Sequence, residues 1–153
     1  MRTVNLVELA DFLVEAKVNT YAAQRGQVDS SRQGSHDLAY RRGGYIYVDS
    51  YFGERDFSGE EIVYLAEKPI WSMNYYGRMH RDNVPDGFIE TLREALLKIR
   101  KEEPYRGCRH HGRDRFQYFC SAEGAIGFFH GCETVEYEKE EVYRLYFHGG
   151  RIL

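Results

Sequence analysis

No run of this sequence approaches the about 20 consecutive apolar residues that a membrane-spanning helix needs, so no membrane partner is expected. The opening Met1-Arg2-Thr3 leads straight into an acidic amphipathic segment (Glu8, Asp11, Glu15), without the apolar core and cleavage site of a secretory signal. Cysteine is scarce. Cys108, Cys120 and Cys132 are an odd, unclustered set, and they read as free thiols of a reducing, cytoplasmic compartment. Cys108, His110 and His111 lie close together and His130 is near Cys132, but no second paired knuckle completes a four-ligand set, so no metal is expected. There is also no G-x-S-x-G, no GxxxxGK[ST] and no GxGxxG after a strand, so no cofactor is expected and no catalytic residue is assigned. A positive charge excess is lacking too. The net charge is −3, which offers no general attraction to phosphate backbones, so nucleic acid is not an expected partner.

What the chain has in excess is aromatic side chains: thirteen tyrosines and nine phenylalanines among 153 residues. Tyrosine is a good strand residue. Its hydroxyl also seeks a partner when buried, so a surplus points to a pocket or an interface.

Two segments have helical period. Over 5–17, Leu6, Leu9, Leu13 and Ala16 share a stripe beside Phe12, with Asn5 as N-cap and Glu8 completing a capping pair. Over 84–101 the stripe is Phe88, Leu92, Ala95, Leu96 and Ile99, with Pro85 in the first turn, basic residues at the end and Pro104 as the stop. Each helix is followed by three predicted strands: 45–51, 61–65 and 70–76, then 116–121, 133–137 and 142–148. Gly53, Gly59, Pro69, Gly77, Gly124, Gly131 and Gly149-Gly150 punctuate them as turns. The halves align: Tyr47 with Tyr118, Ser50 with Ser121, Gly53 with Gly124, Glu61 with Glu133, Val63 with Val135. Residues 22–44 read as a longer connection.

The fold expected is therefore α+β: a single domain over 1–153 with pseudo-repeats at about 4–80 and 83–151. Each repeat is a helix plus a three-stranded antiparallel meander, joined in a pseudo-two-fold sheet with both helices on one face.

The runs Thr20-Tyr21-Ala22, Tyr47-Val-Asp-Ser-Tyr-Phe-Gly53, Trp71-Ser-Met-Asn-Tyr-Tyr-Gly77, Pro104-Tyr-Arg-Gly107 and Phe147-His-Gly-Gly150 carry a resemblance that spans nearly the whole chain. The chain resembles an uncharacterised bacterial family of unknown function, found alone or behind helix-turn-helix regulators of the xenobiotic-response-element type. The resemblance implies no established activity, and this chain is expected to lack the fused DNA-binding module. At the level of architecture it also looks like gyrase-inhibitor-like ligand-sensing domains, in which a glutamate among aromatic rings holds lipophilic cations.

The residues themselves offer one leading constellation. Glu61 and Glu133, matched between the halves, could each sit among aromatic rings and neutralise a ligand cation. Structural ion pairing is the competing account of both. Trp71 and Met73 are expected in the core, and Asn74 and Tyr76 are expected to look towards Tyr47 or Tyr51. Arg106 beyond the second helix could orient an anion or answer a nearby Glu, and Arg109–Arg115 reads as a solvated basic loop. The ligand-binding set expected is thus Tyr47, Tyr51, Glu61, Asn74, Tyr76, Arg106, Glu133 and His148.

The function expected is non-catalytic binding of a small molecule, cationic or aromatic, in a sensor-like domain. The alternatives are a carboxylate-dependent hydrolase or isomerase with Arg106 or His148 as helper, and a tyrosine-rich protein-interaction module whose tyrosines form a homodimer or partner surface.

Overall fold

The structure is a computed structural model that describes residues 4–153. Asn5 caps helix α1 (Leu6–Val18), its side-chain oxygen accepting from the backbone N–H of Val7 and Glu8. Glu8 does not complete a capping pair but turns its carboxylate to the Tyr45 hydroxyl, 3.3 Å away. Leu9, Phe12, Leu13 and Ala16 form the buried stripe, and the last turn adds Lys17 to it. The second helix, α2 (Phe88–Leu97), is shorter than the periodicity suggests. Gly87 precedes it with φ +107°, a left-handed conformation that an α-helix cannot contain, so the helix begins only after it. Leu92, Ala95 and Leu96 are its buried face.

Nine strands form one sheet: β1 (Gln27–Val28), β2 (His36–Arg42), β3 (Tyr45–Phe52), β4 (Phe57–Leu65), β5 (Lys68–Met79), β6 (His110–Arg113), β7 (Phe116–Ala125), β8 (Phe128–Tyr137) and β9 (Glu140–Arg151). Every named pairing is antiparallel, in the order β1-β2-β3-β4-β5-β9-β8-β7-β6. The three-stranded unit is therefore corrected. Each helix is followed by a four-strand meander, β2–β5 or β6–β9, and the last strands of the two meanders pair at the sheet centre with Tyr75 opposite Phe147. The strands that the pattern missed lie towards the edges: β1 and β6 are the edge strands, and β2 is next to β1. β2 lies inside the supposed connection 22–44, and β6 inside the supposed basic loop. Both are charged and half in solvent, so neither carries a strong alternation.

The glycines needed a second correction. Gly53 does turn a hairpin, at φ +89°, whereas Gly124, with the same φ, lies inside β7 opposite Phe129. Gly59 and Gly131 instead lie inside β4 and β8, where they make room for rings. A Cβ on Gly59 would stand 2.2 Å from the Tyr75 hydroxyl, and one on Gly131 2.2 Å from the Phe147 ring.

Both helices lie on one sheet face. There Tyr47, Val63, Trp71, Met73, Tyr118, Val135, Leu145 and Phe147 pack with the helical stripes in one apolar cluster. Strand alternation sends Ser72, Asn74, Tyr76, Tyr146 and His148 to the opposite face. Among the described residues no helix is long and apolar enough to cross a membrane. Cys108, Cys120 and Cys132 are free thiols.

Candidate functional site

The helix-covered face is mostly apolar, yet carboxylates interrupt it on three strands. On β3 the inward row is Tyr45, Tyr47, Asp49, Tyr51, so an acid stands in an otherwise aromatic series. On β4 Glu61 lies directly across from Asp49, and on β8 Glu133 lies across from Cys120 of β7. All three acids are buried. A buried charge is tolerated only with partners, and the three are partnered very differently.

Glu133 is saturated. Arg106, from the loop after α2, donates Nε to Oε2 at 3.1 Å and Nη2 to Oε1 at 2.9 Å. The Tyr118 hydroxyl donates to Oε2 at 2.6 Å and that of Tyr143 to Oε1 at 2.9 Å. Burial would lower the Arg106 guanidinium, but Glu133 and the two tyrosines outweigh it and hold the charge well above its usual range. Burial, reinforced by the carboxylate, pushes the Tyr118 and Tyr143 hydroxyls well up, so they remain donors.

Glu61 is met by Lys17, whose Nζ stands 2.6 Å from Oε2. Burial lowers the lysine and Glu61 opposes that fall. Asp49 has neither cation to itself. Its Oδ1 accepts from the Tyr75 hydroxyl at 2.6 Å. Burial raises its carboxyl to about 7 and the facing Glu61 adds to the rise, against the Tyr75 hydrogen bond and the more distant Arg106 and Lys17. Because the two acids face each other, that titration belongs to the pair.

Asp49 is also the acid that meets open space. It lines a cavity of about 250 Å³ with Tyr21, His36, Tyr51, Glu54, Phe57, Tyr75 and Arg106. A smaller hollow of about 20 Å³ behind it is lined by Asp49 and Arg106 together with Lys17, Tyr47 and Glu61. A third, of about 320 Å³, shares Tyr21, His36 and Tyr51 and extends under the 24–35 segment to Arg93. Asp37 holds that segment, accepting from Ser31 N at 3.0 Å and Ser50 Oγ at 2.8 Å.

Of the residues predicted from sequence, Tyr47, Tyr51, Glu61 and Arg106 are brought to this hollow system. Glu133 lies beside it, enclosed by its four hydrogen bonds. Asn74, Tyr76 and His148 are not brought there. The expected approach of Asn74 and Tyr76 to Tyr47 or Tyr51 is corrected by the alternation of β5, which buries Trp71, Met73 and Tyr75 and turns Asn74 and Tyr76 to the uncovered face. There Asn74 pairs across strands with His148, and both border a shallow depression with Phe128 and Arg151.

The residues that sequence reasoning passed over are Lys17, Tyr21, His36, Asp49, Phe57 and Tyr75. A signal existed for two of them: Asp49 interrupts an aromatic row, and Lys17 extends an apolar helical stripe. None existed for His36, which sits on an unpredicted strand.

A family model described as a domain of unknown function (DUF5680) matches residues 49–152. The chain belongs to this family. The DUF5680 match begins at Asp49 and takes in Glu61, Tyr75, Arg106 and Glu133, whereas Lys17, Tyr21 and His36 precede it. No curated protein and no solved structure matches the chain. Among the described residues, no three His, Cys, Asp or Glu side chains converge as a metal ion would require.

Proposed function

We propose that this chain is a small-molecule-binding domain whose ligand occupies the cavity between the Asp49 carboxyl and the aromatic wall of Tyr21, Tyr51, Phe57 and Tyr75. One observation carries the reading. A buried acid without a cation of its own faces an aromatic hollow. A concave, mainly apolar pocket with a few convergent polar groups is the usual form of a ligand site. The acid that serves it is Asp49 in place of the matched glutamates, since Glu61 and Glu133 are committed to Lys17 and Arg106. A sensing role for such binding is part of the same proposal.

A thermal-shift screen against aromatic and amine metabolites tests this, because a ligand that binds only the folded state raises the melting temperature. Hits are expected to weaken in Tyr51→Ala and Asp49→Ala. A hit list indifferent to both substitutions would count against the cavity.

A second reading rests on the titration of Asp49 near neutrality. A carboxyl at about 7 facing another acid has the protonation behaviour of a general acid or base. On this reading the domain is a carboxylate-dependent hydrolase or isomerase, with Asp49 transferring the proton. It requires turnover with a pH–rate curve that bends near 7 and collapses in Asp49→Asn.

A further inference from the structure

Five ionisable groups are packed beneath the cavity: Lys17 from α1, Asp49 from β3, Glu61 from β4, Arg106 from the loop after α2, and Glu133 from β8. Lys17 is in contact with Glu61, and Arg106 with Glu133 in a bidentate pair. Two cations therefore answer two anions. Asp49 is the odd group, and the buried cluster is neutral only while it keeps its proton. Ionised, it would leave one uncompensated negative charge in a desolvated place, the costliest form for a buried acid.

The hollow beside that odd acid is lined by aromatic side chains, whose rings carry negative potential on their faces. Tyr21, Tyr51, Phe57 and Tyr75 contribute them, and Glu54 stands at the rim. Burial pushes the hydroxyl of Tyr75 well up and that of Tyr21 up, so both stay neutral. An anion entering here would meet an Arg106 already engaged by Glu133, together with the acid and the aromatic side chains. A cation would meet an acid able to lose its proton and rings that favour positive charge.

We propose, building on the binding role assigned to this cavity, that its ligand is a monovalent organic ammonium ion taken up in exchange for the proton of Asp49. The proton leaves for solvent, the ammonium takes its place as counter-ion, and the buried cluster is neutral before and after. The exchange links affinity to pH: below the titration of Asp49, near 7, each unit of acidification weakens binding about tenfold, and above it binding levels off. His36 is the other titratable group on the cavity wall whose residue type changes charge between pH 5 and 8. His36→Gln is therefore the control.

The test is titration calorimetry of the whole chain with benzyltrimethylammonium, whose charge is fixed at every pH, and with neutral benzyl alcohol. Binding of the cation is expected to be about 30-fold tighter at pH 8.5 than at 5.5. At pH 5.5, comparison of buffers with different ionisation enthalpies should show release of about one proton per cation bound. The pH dependence should persist in His36→Gln and vanish in Asp49→Asn. Cation binding that is independent of pH, or benzyl alcohol binding as tightly as the cation at every pH, would overturn the exchange while leaving the cavity a ligand site. Failure of both probes to bind at millimolar concentration would overturn both.

Discussion

The two halves of the sheet carry the same acid at matched positions and use it differently. In the second half, Glu133 faces Cys120 across the strand pair, and Arg106, Tyr118 and Tyr143 take all its hydrogen-bonding capacity. In the first half the residue facing Glu61 is Asp49. Trp71, opposite Val63 as Tyr143 is opposite Val135, donates its Nε1 to the Ile126 carbonyl and not to the acid. One half thus closes on a saturated ion pair, and the other keeps a carboxyl in excess beside a hollow. A buried charge and a candidate site differ by one unmatched group. The glutamates, conspicuous in the sequence, are each met by a cation, and the aspartate next to one of them is not.

The comparison can be broken from its closed side first. Arg106→Met leaves Glu133 buried without a cation and is expected to cost about 3–5 kcal/mol in denaturant unfolding. The double variant Arg106→Met/Glu133→Leu should recover most of that loss, since a buried pair replaced by apolar groups is often close to neutral. No recovery would mean that the pair does more than neutralise itself. Lys17→Met on the open side should cost less, about 2–4 kcal/mol, because Glu61 lines the small hollow behind Asp49 and can be rehydrated. A loss equal to that of Arg106→Met would deny the asymmetry.

Gly59→Ala drives a methyl against the Tyr75 ring and should cost about 1–3 kcal/mol. It should also disturb the Tyr75–Asp49 hydrogen bond, visible as a changed tyrosine signal in ultraviolet difference spectra. The last effect should have the opposite sign. Asp49 titrates at about 7 in the folded chain against 3.8 ordinarily. Between those values the folded chain holds the extra proton, so this group's contribution to stability is full below about pH 4 and lost as pH rises through 7. Asp49→Asn keeps the hydrogen-bond acceptor for Tyr75 and removes the titration. It should stabilise the fold at pH 8 and change it little at pH 4. A uniform effect at both pH values would contradict the assignment.

Much of this was legible along the chain. Asn5 followed by a stripe of Leu9, Phe12, Leu13 and Ala16 announces α1 without help from the rest of the protein. The alternation of Trp71 and Met73 with Ser72 and Asn74 places the central strand and its buried face. The match of Glu61 with Glu133 points to the depth at which the acids lie. The outer strands β2 and β6 were not legible, because partly solvated, charged residues such as Arg41 and Arg113 carry no face preference strong enough to read. Gly59 and Gly131 misled for a related reason: a glycine that ends a strand and one that yields space to a ring across the sheet look the same in one dimension.

Local chemistry by itself determined the helices, the inner strands, the antiparallel habit and the presence of buried acids, since each depends on residues only a few positions apart. Tertiary structure alone decided which acid received which cation. Lys17 and Glu61 are far apart in the chain, and Asp49 is left over only because folding directs Arg106 to Glu133. Electrostatic satisfaction is a sum over neighbours in space, and no local pattern contains it.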